Sequence, residues 1–209
     1  MPEKLKICVF SKHFQWTGIK EAAAIAKDLG FDGVDLTVRK GGHVEPARVE
    51  SDLPSAVEAV RAAGLEVPMI TTEITDAATP YAGAILKMAS QLGVRHYRWG
   101  RLTYQPNKGI AEQLNAFKPH MKAKSLSVEG AWVPHWCPTG EGMVNLAGFF
   151  GIVKENRFSG PVQLHFEYPG LGGAENGDRT LRVPKPELIA AMRRDLTRVQ
   201  SLMRAQGLS

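Results

Sequence analysis

The chain has 209 residues, 44% of them hydrophobic and 22% charged, with 21 Gly, 13 Pro and a formal net charge of +5. That composition is ordinary for a globular protein and excludes a disordered or fibrous chain. No apolar run approaches the roughly 20 residues that a membrane helix needs, so no membrane partner is expected.

The Lys and Arg are dispersed. Their densest stretch, Arg193 to Arg204, is interleaved with Leu and Met as on a solvated helix face, so nucleic acid is not expected as a partner. The opening MPEKLKICVF is too short for a signal-peptide core and lacks a small-residue cleavage site. Cys8 and Cys137 form neither a disulfide framework nor a metal pair. A reduced, cytoplasmic setting is expected.

The pattern alternates strand and helix. KICVF (6–10) is a β-rich run, followed by the loop Ser11–Thr17 and the helical pattern GIKEAAAIAKDLG, which stops at Gly30. FDGVDLTV supplies a second strand through Val34, Leu36 and Val38, and KGGHVEPARV leads into the helix ESDLPSAVEAVRAAG. LEVPMITTEI precedes a helix from about Tyr81 to Leu92, and VRHYRWGRL precedes IAEQLNAFKPHMKAK. These strands recur at about 30 residues, the size of a βα unit. Then SLSV offers a fifth strand, and EGAWVPHWCPTGEGMV a long loop. NLAGFFGIVKENR reads as a helix, GPVQLHFEYP as the last strand, and about Lys185 to Gln206 as the last helix.

Such alternation implies a parallel sheet with right-handed crossovers. A dinucleotide-binding sheet would carry a glycine fingerprint after its first strand, whereas this chain has SKHFQWTG there. Polar and aromatic residues after each strand suit a TIM-type barrel that builds its site from βα loops. The fold class is therefore α/β, a (βα) TIM-barrel-like domain spanning 1–209 with about six recognisable units, two short of the eight-fold barrel.

The running pattern FSKHFQW, GFDGVDLTVRKGGHVEP, DLPSAVEAVRAAGLEVPMITT, LGVRHYRWG and PTGEGMVNLAGFFGIVKENRFSGPVQLHFEYP resembles the sugar phosphate isomerase/epimerase family of the xylose-isomerase-like TIM-barrel superfamily. The resemblance implies proton transfer on a small sugar or sugar phosphate, and a divalent ion (Mn, Mg, Co or Zn) that polarises a hydroxy-carbonyl group. It implies that Glu167, at the end of the last strand, is both metal ligand and proton-transferring residue. The family's fifth and sixth ligand-bearing strands have no counterpart. The chain passes from the fourth helix to a segment like the family's seventh strand near 122–128, with Ser127 where many relatives have a histidine. An apparent internal deletion of about two βα units follows, and it leaves strand edges that either close a smaller barrel or pair in a homodimer. The alternative to an enzyme is a non-catalytic sugar-binding or scaffold protein of this barrel family.

Other candidates follow from residue chemistry. A carboxylate at the C-terminal end of a barrel strand, such as Glu167, stands where active sites form, and His165 shares its side of the strand. In the first loop, where relatives shape the sugar pocket, His13 and Trp16 are candidate substrate contacts. Arg39 and His43 flank Gly41 and Gly42 in a basic loop that can receive an oxyanion, and Arg98 with Arg101 brackets Trp99 after the fourth strand. Glu73 is either a pocket carboxylate or a surface one, and Trp132, His135, Trp136 and Cys137 form an aromatic lid or contact loop. The trinuclear zinc site of endonuclease IV, which shares the superfamily, has too few ligands here.

Overall fold

The computed structural model describes residues 5–100 and 136–208, together with the backbone of 125–126 and 132–133. The described strands are β1 (Ile7–Phe10), β2 (Gly33–Val38), β3 (Glu66–Thr72), β4 (His96–Arg98), β5 (Ser125–Leu126), β6 (Trp132–Val133) and β7 (Val162–Leu164). The described helices are α1 (Ile19–Leu29), α2 (Val49–Ala62), α3 (Ala82–Gln91), α4 (Leu146–Glu155) and α5 (Lys185–Ala205).

Five parallel strands form one sheet in the order β4–β3–β2–β1–β7. The last strand of the chain thus lies beside the first, as in a closing barrel, and the sheet curls into an incomplete α/β barrel. SLSV does not extend this sheet. Ser125–Leu126 instead pairs antiparallel with Trp132–Val133 in a separate two-stranded piece. Among the described residues the outer edges of β4 and β7 have no strand partner, so they do not meet in a tightened six-stranded closure. The junction near 122–128, the helix expected from IAEQLNAFKPHMKAK, Arg101, His135 and the side chain of Trp132 lie outside the described residues.

The helices follow the strand order on the convex side: α3 packs on α2, α2 on α1, α1 on α5 and α5 on α4. In α1 the 3–4 spacing buries Ala22, Ala23, Ala26 and Leu29, and the small alanines let the helix lie close to the sheet. Gly30, at φ 98°, ends the helix in a left-handed turn, where its N–H donates to the Ala26 carbonyl. The strands supply the other half of this core with Val9, Val34, Leu36, Val38 and Ile70.

Strand alternation sends the remaining side chains to the concave face. Register pairs Phe10 with Asp35, Asp35 with Met69, Thr37 with Thr71, and Thr71 with Arg98. Cys8 pairs with Gln163, so Gln163 lies on the concave side as well, and His165 and Glu167, just beyond β7, reach the same side against Phe10 and Lys12. Between Gly33 and Asp35 the register against β3 slips by one residue, at the stretch that holds Pro68, which has no N–H to give to a ladder. The concave face thereby gathers polar and charged groups at the C-terminal ends of its strands.

Candidate functional site

The chain leaves β1 into a single turn of 3-10 helix, Ser11–Phe14, which brings Lys12 and His13 to the strand ends. The Lys12 Nζ lies 3.0 Å from Oε1 of Glu167, and Nδ1 of His165 lies 3.5 Å from the same oxygen. The hydrogen bond from His165, and then the hydrogen bond and charge of Lys12, hold the Glu167 carboxyl well below the usual carboxylate range, against the opposing effect of burial. Glu167 is therefore an ionised carboxylate between two donors.

Next to this pair the Phe10 ring collects charged groups. The guanidinium carbon of Arg98 sits 4.7 Å and that of Arg39 5.4 Å from its centroid, and the His165 ring lies at 4.8 Å. Beneath the arginines Asp35 is fully buried. Thr71 Oγ1 donates to its Oδ2 at 2.7 Å, while Oδ1 has no hydrogen-bond partner among the described residues. Burial pushes its carboxyl up to about 7, even though the Thr71 hydrogen bond and the charges of Arg98 and Arg39 act in the opposite direction.

The candidate residues do not all converge. Arg39, Arg98 and Glu167 share the concave face, with His165 between them. His13 is fully buried, and both ring nitrogens are taken by backbone: Nδ1–H donates to the Ala174 carbonyl at 3.0 Å, and Nε2 accepts from the Phe166 N–H at 3.1 Å. Burial pushes the ring down to about 3, so His13 is a neutral clamp that ties the first turn to the last strand and the loop after it. The Trp16 indole N–H donates to the His13 carbonyl at 2.9 Å, and its ring faces the Lys185 ammonium at the start of α5, on the helical side of the sheet. His43 lines a separate polar cleft of about 320 Å³ with Gln15, Thr17 and Arg179, where its N–H donates to Thr37 Oγ1. Glu73 is exposed.

Two residues of the cluster, Asp35 and Lys12, are absent from the candidates read from the sequence. Asp35 carries a usable signal, since FDGVDLTV places an acidic residue at an inward position of an otherwise apolar strand. Lys12 follows the first strand directly and has no signal beyond that position.

The divalent ion implied by the family resemblance does not fit the described residues. No group of three His, Cys, Asp or Glu side chains among them is arranged to hold a metal. The Glu167 carboxylate already faces an ammonium, whose charge would oppose that of a metal ion.

Fold and cluster together define an incomplete α/β barrel with a charged mouth at the C-terminal ends of its strands. The same fold occurs in the crystal structure of an N-terminally His-tagged D-allulose 3-epimerase from Methylomonas sp., with a TM-score of 0.56 and 14% sequence identity over 96% of this chain and 99% of that one. Neither family models nor curated proteins match the sequence.

Proposed function

We propose that the protein is a sugar isomerase/epimerase-type barrel that binds a small sugar or sugar phosphate across its concave mouth and moves a proton at the carbon beside the substrate carbonyl. The observation that carries this reading is the ionised Glu167, three residues beyond the last strand and held between Lys12 and His165. A carboxylate there can take the proton, and an ammonium 3.0 Å away supplies positive charge to the oxygen that becomes an enediolate. Arg39 and Arg98, both against the Phe10 ring, orient the substrate. The shared fold with a D-allulose 3-epimerase supports the same class of reaction. In this reading the edges of β4 and β7 that lack a strand partner among the described residues are covered by a second copy of the chain.

One observation favours binding without turnover. A carboxylate held as low as Glu167 is a weak proton acceptor, because general bases work best near the operating pH. Incubation of the protein with a panel of ketoses in D2O, with and without added Mn(II), tests the two readings by NMR. Deuterium entering at the carbon next to the carbonyl in the parent protein, but not in Glu167→Gln, is expected for the enzyme. Ligand binding without exchange in either protein would favour the binding reading.

A further inference from the structure

Asp35, Arg39 and Arg98 leave a specific set of unmet demands on the concave face. Asp35 is fully buried, yet its Oδ1 has no donor among the described residues, and an acceptor left in that state is costly. Above it two guanidiniums stack on one aromatic ring, and neither forms an ion pair or side-chain hydrogen bond among the described residues. Glu167 does not serve them, because it is engaged by Lys12 and His165. With Lys12 and Glu167 offsetting each other, two guanidiniums face one carboxylate, and one positive charge is in excess once Asp35 is ionised, above about pH 7. The Phe10 ring is buried, and a guanidinium stacked on it is held by its planar face, so its edge N–H donors remain to make charge-assisted hydrogen bonds to an arriving anion.

We infer that Asp35, Arg39 and Arg98 form a ligand subsite for a hydroxylated anion, whose hydroxyl donates to Asp35 Oδ1 and whose anionic oxygens take the two guanidiniums. The inference rests on the sugar-binding reading above and narrows it: the ligand carries a carboxylate or phosphate ester next to a hydroxyl, and a neutral sugar leaves one arginine charge unmatched. Asp35 is the residue that distinguishes a hydroxy acid from a plain acid. Its ionised form, the better acceptor, dominates above about pH 7.

Calorimetric titration of the whole protein at pH 8 tests this with D-glycerate, propionate, glycerol and glycerol 3-phosphate. Glycerate is expected to bind about tenfold tighter than propionate, the factor of a hydrogen bond to a charged group, and glycerol not measurably. Asp35→Asn should erase the glycerate-to-propionate ratio, because an amide N–H₂ replaces the acceptor. Arg98→Gln should weaken both acids alike and keep the ratio. Comparison of glycerol 3-phosphate with glycerate tells which anion the pair of arginines prefers.

Equal binding of glycerate and propionate, no binding of any anion, or a ratio that survives in folded Asp35→Asn would each overturn the inference. If Asp35→Asn does not fold, the parent ratio and Arg98→Gln still decide it. Because binding is read without turnover, deuterium exchange on neutral ketoses with no anion binding would sink this subsite and leave the proposed function standing. The reverse pattern would do the opposite.

Discussion

Replacing Asp35 by Asn separates two buried groups whose proton affinities act against each other. Burial raises Asp35 from its ordinary 3.8 to about 7 and lowers His13 from 6.5 to about 3. Asp35 binds its proton more tightly when folded, so its contribution to stability is complete below pH 3.8 and is lost as pH rises through about 7. His13 binds its proton less tightly when folded, so its contribution is complete above pH 6.5 and is lost as pH falls toward about 3. At about 1.4 kcal/mol per tenfold change in proton affinity, the full windows amount to about 4 kcal/mol for Asp35 and about 5 kcal/mol for His13. From about pH 5 to 6.5 the two slopes cancel, and the parent protein is expected to show nearly constant stability there. Asn removes one slope and leaves the other, so the variant gains about 2 kcal/mol over the same interval. Its amide nitrogen replaces Oδ1 with no acceptor opposite, a cost of about 1–3 kcal/mol at every pH. The two curves therefore cross: the variant is weaker in acid and stronger above about pH 7. Urea denaturation followed by circular dichroism, in half-unit steps from about pH 5 to 8, reads this directly. Parallel curves offset by a constant amount would refute the reasoning, because they would mean that Asp35 ionises in the folded protein as it does in the unfolded chain.

Glu167→Gln is expected to cost only about 1 kcal/mol in a urea melt at pH 7, since its ion pair with Lys12 is partly solvated, while abolishing deuterium exchange. Lys12→Met should let the Glu167 carboxyl move back toward its ordinary 4.5, with His165 alone still lowering it; a ¹³C titration of the carboxyl carbon that stays where it was would refute the ion pair. Gly33→Ala places a Cβ 2.8 Å from the Glu66 carbonyl oxygen and 3.1 Å from Cys8 Sγ, an overpacking worth about 1–3 kcal/mol in a thermal melt. Gly83→Ala, in α3 with nothing within 4 Å of the new methyl, should stabilise by up to about 1 kcal/mol in the same experiment. Burial pushes the Cys8 thiol up to about 12, so Ellman's reagent should find it unreactive in the native protein and reactive only after unfolding.

Much of the fold is legible in the sequence because its signals are local. The apolar spacing of GIKEAAAIAKDLG and its closing glycine place α1 within a residue of Ile19–Leu29, and KPELIAAMRRDLTRVQSLMRA places α5 equally well. SLSV misleads because a short β-rich run does not say which sheet it joins, and Ser125–Leu126 pairs antiparallel with Trp132–Val133 instead of entering the barrel. The site is legible only where position alone decides. Glu167 stands out because a carboxylate following the last barrel strand, on the side of the strand that His165 also takes, lies where barrel sites form. His13 looks like an open ligand in a polar loop, but its two nitrogens are consumed by Phe166 and Ala174, more than 150 residues away in sequence. No local pattern carries that information.

Asp35 lies between these cases, and the reason it is found late is physical. Its strand is read from Val34, Leu36 and Val38, the residues that bury α1 and α2 against the sheet. The same alternation that sends those three outward sends Gly33, Asp35 and Thr37 to the concave face. A barrel interior there is ordinarily filled with branched apolar side chains, so a carboxylate among Phe10, Met69 and Thr71 needs compensation from outside its own strand. Thr71 supplies one hydrogen bond, and the charges of Arg39 and Arg98 supply the rest at longer range. None of the three saturates Oδ1. An inward polar residue against the period of its own strand thus marks a position whose partner comes from outside that strand, and in the proposed subsite that partner is the ligand hydroxyl.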